Sequence, residues 1–156
     1  MELVFDDRGL LLPGVHDVAM DDVKEHFGAF QGTDRRPTLF AKLEAYIDAV
    51  RKAACGSSVI IDGSFVMACI NEPDDIDLVL VLPAGWDFQA DLQPFQYNLV
   101  SNRVLRKTVG FDAFIVMSGS TEEAKWIDFL GQVTPEWSKR FGWPKDLRKG
   151  IVRVKI

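Results

Sequence analysis

VIIDGSFVMACINEPDDIDLVLVL, residues 59–82, is the stretch on which the fold turns. Its apolar ends, Val59-Ile60-Ile61 and Leu78-Val79-Leu80-Val81-Leu82, lack polar alternation, the pattern of strands buried on both faces. Between them Gly63-Ser64 forms one turn and Asn71-Glu72-Pro73-Asp74 another. The chain enters its second strand, predicted over 75–82 and closed by Pro83, through Asp75 and Asp77. Side chains alternate along a strand, so these carboxylates share a face, roughly 6.6 Å apart along the backbone. Like charges placed this way repel and resist desolvation unless a cation sits between them. The spacing asks for a metal.

Working outward, Gly9 to Gly14 reads as an extended arm, and Asp21 or Asp22 caps a short helix that Gly28 stops. A long amphipathic helix is expected from Thr33 or Asp34, with Pro37 in its first turn. Leu39, Phe40, Leu43, Tyr46, Ile47 and Val50 form its apolar face, and Gly56 ends it. A strand at 58–62 and a helix from Ser64 to about Ile70 follow. After a loop at 84–91, Leu92, Phe95, Leu99, Val100 and Val104 mark a helix over about 92–107. Phe111 to Val116 is a third strand. Ser120 or Thr121 caps a helix that buries Trp126, Ile127, Phe129 and Leu130. Gly150 to Ile156 alternates and reads as a final strand at a sheet edge, because its Arg and Lys face one side. The sum is an α/β (α+β) domain, a mixed sheet flanked by helices. Its 156 residues form a single unit: an arm and short helix over 1–32, a core over 33–131 and a C-terminal extension over 132–156.

The third carboxylate is Asp112, early in an apolar strand where a charge is costly unless used or paired. Beside the 75–82 strand it would complete a patch able to hold two Mg²⁺ roughly 3.5–4 Å apart, with Mn²⁺ an alternative. Asp75 and Asp77 would bridge both ions. Asp112 would ligate the nucleophile-side ion and orient or deprotonate an acceptor. Gly63 lets backbone approach a phosphate, and Ser64, opening the predicted helix, offers amide groups and a hydroxyl to an anion. Taken singly, Gly-Ser is also an ordinary turn, and Asp112 could be an ion-pair partner.

Arg103, Arg106 and Lys107 run into the Asp112 strand as a solvated helix face or as phosphate contacts, and Lys149 is a surface charge or a phosphate contact. Arg35 and Arg36 sit unfavourably at a helix N-terminus, which hints at pairing with carboxylate or phosphate. Trp137 and Trp143, beside Lys139, Arg140 and Lys145, could stack on a base or pack the tail. His16 and His26 have no zinc spacing. Cys55 and Cys69 lack CxxC spacing and read as reduced, packed thiols. A net charge of −5 excludes a global basic field for duplex DNA. No apolar run is long enough to span a membrane and no signal peptide is evident, so a cytoplasmic location is expected.

Gly63-Ser64, the Asp75-x-Asp77 pair about ten residues on and the later Asp112 together resemble the DNA polymerase β-like nucleotidyltransferase superfamily. Leu12-Pro13-Gly14, Asp62-Gly63-Ser64-Phe65, Pro73 to Asp77 and Lys149 to Arg153 further resemble a small bacterial and phage nucleotidyltransferase-like family of minimal type. The resemblance implies a polymerase β-like core, Mg²⁺, a nucleoside triphosphate such as ATP, and transfer of its nucleoside monophosphate to a hydroxyl with release of pyrophosphate. The acceptor would be a protein, an RNA end or a small molecule, in a toxin–antitoxin or phage-defence setting, and a dimer could complete the site. The alternative is a non-catalytic module that binds and neutralises a partner protein. Where antitoxin relatives carry Arg-Gly after Gly-Ser, this chain has Phe65-Val66-Met67-Ala68. A nuclease site built on the aspartates would leave the Gly-Ser turn unexplained.

Overall fold

The computed structural model of the protein describes residues 3–87, 94–108 and 110–156. The elements run β1 (Gly14–Asp17), α1 (Met20–Phe27), α2 (Arg35–Ala53), β2 (Ser58–Asp62), a single 3₁₀ turn (Ser64–Val66), β3 (Asp77–Leu82), α3 (Pro94–Val100), α4 (Asn102–Thr108), β4 (Asp112–Met117), α5 (Thr121–Leu130), α6 (Pro135–Phe141) and β5 (Gly150–Lys155). The strands form one mixed sheet in the order β1-β5-β2-β3-β4. The pairs β1/β5 and β3/β4 are parallel, while β2 is antiparallel to both of its neighbours. The α/β reading holds. Among the described residues no helix is long and apolar enough to cross a membrane.

The unbroken apolar runs of β2 and β3 are explained by helices on both sheet faces. Val59, Ile61, Leu78, Leu80 and Leu82 pack into a cluster with Leu39, Phe40, Leu43, Ile47 and Val50 of α2. Ile60, Val79 and Val81 point the other way, toward Leu130 of α5. A third, smaller cluster joins Leu10 of the arm, Met67 and Ile70 of the loop after β2, and Val133, with Trp137 and Trp143 against it.

Several boundaries differ from expectation. Helix α1 starts at Met20 behind Ala19, whose N–H donates to Asp22 (2.9 Å), so Asp22 supports the turn from inside the helix. Helix α2 ends at Ala54 in the left-handed region (φ 51°), two residues before Gly56. The predicted helix over 92–107 is two helices broken at Ser101; residues 92 and 93, and 88–91 of the predicted loop, lie outside the described residues. Ser120 caps α5 as expected, its hydroxyl accepting from the Glu123 N–H. That helix, however, buries only Leu130: Phe129 is 59% exposed, and Trp126 stacks on Phe114 at the surface.

The C-terminal strand is not an edge. Residues 14–17 of the arm form β1 and cover β5, and Asp17 accepts two hydrogen bonds from Arg153 (2.6 and 3.0 Å), so the charge that suggested an edge is neutralised by the added strand.

Predicted as a helix, residues 64–70 make only the 3₁₀ turn, and the reason is Arg36. Fully buried in the first turn of α2, its guanidinium spends all five N–H donors on backbone carbonyls: Phe27, Phe65, Met67 and, twice, Ile70, at 2.6–3.1 Å. Carbonyls turned toward Arg36 are withheld from an α-helical ladder. Burial lowers its pKa to about 10, which leaves it protonated at neutral pH. The expected partner, carboxylate or phosphate, is replaced by the loop's own backbone.

Arg36→Ala should therefore destabilise the protein by at least about 3 kcal/mol in urea unfolding, because four buried carbonyls lose their donor at about 1–3 kcal/mol each. Phe129→Ala, on the helix face that proved exposed, should stay within about 0.5 kcal/mol of the parent.

Candidate metal centre

Strand register builds this site. Asp62 of β2 pairs with Asp77 of β3, and Asp77 pairs with Asp112 of β4, so three aspartates lie in a row at the end of three adjacent strands. Register partners share a face, here the face that Ile60, Val79 and Val81 turn toward α5. Asp75 lies two residues before β3 begins. Asp75, Asp77 and Asp112 each bring a carboxylate oxygen within 4.8 Å of the other two, and all three are half-buried. The expected convergence of Asp112 on the Asp-x-Asp pair is present.

Each carboxylate meets the crowding differently. Asp62 is buried and ion-paired with Lys149, itself only 4% exposed, whose ammonium also donates to the Leu130 carbonyl (3.3 Å). Burial still pushes the Asp62 pKa up against that pairing. Asp112 accepts from Arg106 of α4 through both Nε and Nη2, and both bonds go to Oδ1. Asp77 lies between them. Burial first, then Asp75, Asp62 and Asp112, push its carboxyl up to about 6, with Lys149 opposing. Asp75 is raised as well, by burial and then by Asp112 and Asp74. A set of oxygen-only, mutually repelling ligands suits a hard divalent cation such as Mg²⁺.

Gly63 brings the β2 turn against this group. Its φ of +85° favours glycine, and a Cβ there would meet Asp77 Oδ2 at 3.0 Å. Ser64 is buried beside it and opens the 3₁₀ turn, so the anion-binding helix N-terminus expected at Ser64 does not exist. Gly63 and Ser64 instead line a cleft of about 260 Å³ with Asp62, Asp75, Asp77 and Lys149, which Gln132, Thr134, Trp137 and Arg140 also line.

The basic residues sort themselves in a way the sequence does not reveal. Arg103 and Lys107 are exposed on α4 and, among the described residues, make no hydrogen bond to the aspartates. Arg106 is the α4 side chain that does. Lys149 is a buried counter-ion rather than a surface charge. Asp62, named in the sequence only as part of the Asp62-Gly63-Ser64-Phe65 turn and not as a site residue, is the last residue of β2, and a charge closing an apolar strand directly before Gly63 is a usable signal. His16 and His26 are half-buried and away from the cluster, and Cys55 and Cys69 are free thiols.

Residues 3–155 match the model of a family of unknown function, DUF6932, and the chain belongs to that family. No curated protein and no solved structure matches it.

The raised Asp77 pKa fixes the sign of a pH dependence. In the metal-free protein the native state keeps a proton that the unfolded chain gives up near pH 4, so the stability due to this group falls as pH rises toward about 6. Metal needs the ionised form, so stabilisation by Mg²⁺ should be weak at pH 5, strong at pH 8, and accompanied by proton release. Asp77→Asn should raise the metal-free unfolding temperature at pH 8, by about 2–4 °C per kcal/mol recovered, and abolish the Mg²⁺ effect. Thermal unfolding at the two pH values, with and without MgCl₂, measures both.

Proposed function

We propose that this DUF6932 protein is a magnesium-dependent nucleotidyltransferase that moves a nucleoside monophosphate from a nucleoside triphosphate to an acceptor hydroxyl. The observation that carries the reading is the convergence of Asp75, Asp77 and Asp112 within 4.8 Å at the same sheet end as the Gly63-Ser64 turn. Five carboxylates line the cleft (Asp62, Asp74, Asp75, Asp77 and Glu136) against two cations, Arg140 and Lys149. A polyphosphate would be repelled by that balance unless divalent metal entered with it.

In this reading Asp75, Asp77 and Asp112 would hold the metal. Bound Mg²⁺ would supply Lewis-acid activation of the hydroxyl and neutralise charge on the triphosphate. The acceptor oxygen forms a bond to the α-phosphorus, the bond to the bridging oxygen breaks, and pyrophosphate leaves. The hydroxyl proton passes to Asp112, whose Oδ2 receives no hydrogen bond among the described residues. Ser64 meets the phosphates from the turn. Lys149 holds Asp62 in place, so that the row stays together.

One observation favours a second reading, a non-catalytic module that binds a partner protein: Arg106 already neutralises Asp112. In a module that pair would be permanent. In the enzyme it is a placeholder, and its exposure lets the guanidinium swing out.

Incubation with each of the four nucleoside triphosphates, Mg²⁺ and candidate protein, RNA and small-molecule acceptors should release pyrophosphate. Asp75→Asn and Asp77→Asn should each lower the rate at least about 100-fold, because each removes a metal ligand worth several kcal/mol to the transition state. Arg106→Ala should lower the Mg²⁺ concentration needed for thermal stabilisation. A metal response that Arg106→Ala leaves unchanged, together with no pyrophosphate from any combination, would support the module instead.

A further inference from the structure

The aspartate row leaves one wall of the cleft unused. Helix α6 presents Trp137 and Arg140 to the same cavity that Gly63, Ser64, Asp75 and Asp77 line. Trp137 begins a ladder of near-parallel rings: Trp137 to Phe141 is 6.0 Å with an 18° tilt, and Phe141 to Trp143 is 4.6 Å with a 21° tilt. Trp137 and Trp143 pack against the cluster of Leu10, Met67, Ile70 and Val133, and Met67 lies in the loop that follows Ser64, so the indole and the turn share one small core. The guanidinium of Arg140 lies 5.2 Å from the centre of the Trp137 ring. A planar, cationic group therefore already reaches that ring, and Arg140 is exposed and able to shift.

Size argues in the same direction. About 260 Å³ is below the roughly 300–1,000 Å³ of clefts that enclose a whole small-molecule ligand. The aspartates and Ser64 occupy its polar part, so the remainder of a ligand held there must lie along the rim. There the half-buried indole is the large flat surface on offer, with the side chains of Gln132 and Thr134 nearby. A flat π-surface beside a metal-and-phosphate pocket fits a heteroaromatic ring joined to phosphates.

We propose that Trp137 is the stacking surface for the nucleobase of the donor, so that the cleft takes a nucleoside triphosphate with its phosphates toward Asp75, Asp77 and Ser64 and its base on the indole. This rests on the nucleotidyl-transfer reading and adds to it the residue that separates a nucleotide from any other polyphosphate.

Calorimetric titration of the full chain in MgCl₂, with inorganic tripolyphosphate and with non-hydrolysable nucleoside triphosphate analogues, tests it. The nucleotide should bind tighter than tripolyphosphate. Trp137→Ala should weaken nucleotide binding by about 5- to 150-fold, the range for losing one base–aromatic stack, and leave tripolyphosphate unchanged. Trp137→Phe should recover most of the loss. Trp143→Ala, which removes the far end of the same ladder, should bind both ligands as the parent does and so separates stacking from folding. Nucleotide affinity unchanged in Trp137→Ala, or lost equally for both ligands, would overturn the assignment. Tripolyphosphate binding with no gain from the base would overturn it while leaving the metal-and-phosphate site standing. If neither ligand binds with Mg²⁺, both this inference and the nucleotidyl-transfer reading fall.

Discussion

Electrostatic repulsion in the row Asp62–Asp77–Asp112 is the constraint that the rest of this structure accommodates. Carboxylates on adjacent strands in direct register destabilise a sheet unless something intervenes. The two outer members have counter-ions drawn from distant sequence, Lys149 before β5 and Arg106 on α4. The middle member has no cationic side chain hydrogen-bonded to it among the described residues, and its raised proton affinity follows. A fold that neutralises the flanks concentrates an electrostatic strain on Asp77, the member crowded by burial and by the other carboxylates. Asp75, brought in from the preceding turn, deepens it.

The second constraint lies behind the row. Arg36 is a buried cation whose hydrogen bonds go to backbone carbonyls rather than to a carboxylate, and those carbonyls belong mainly to the segment leaving Ser64. Such a guanidinium acts as a template: it shapes a loop that has little regular structure of its own. Because Arg36 sits in the first turn of the long helix α2, the position of the Gly63-Ser64 turn is tied to the main core. The loop supplies shape and the aspartates supply charge, and the two are fixed to each other through the start of β3.

Elements dominated by one local signal were legible in the sequence. The buried strands, the face of α2 and the Ser120 cap follow from runs, spacing and a hydroxyl at the right place. So was the triad: Asp77 and Asp112 stand out as charges at the start of apolar runs, and Asp75 by its i, i+2 spacing from Asp77. What failed depends on partners far along the chain. Residues 64–70 looked helical because nothing local announces that Arg36 takes their carbonyls. The tail looked like an edge because Gly14–Asp17 carries too few residues to declare itself a strand. Phe129 looked buried because helical spacing cannot tell which part of an apolar stripe the sheet reaches. The missed helix α6 is different in kind: Thr134-Pro135 is a readable start, with proline at the first helical position.

The same distinction bears on substrate choice. Carboxylates able to share a cation are legible because that chemistry demands particular residue types at strand spacing. The surfaces that choose a ligand carry no such demand. Trp137 reaches the cleft from α6 and Arg106 reaches Asp112 from α4, segments far apart in sequence that the fold brings to the same sheet end. Either residue alone in sequence is an ordinary aromatic or an ordinary helix charge. Trp137 takes its meaning from the 260 Å³ cleft it lines with Asp75 and Asp77, and Arg106 from its pairing with Asp112 at the end of the aspartate row. Under the proposed reading, the indole would select for flat rings and the guanidinium paired with Asp112 would compete with a metal for the third carboxylate. On that reading, divergence at Trp137 or Arg106 would change what the site accepts while leaving Asp75, Asp77 and Asp112 in place.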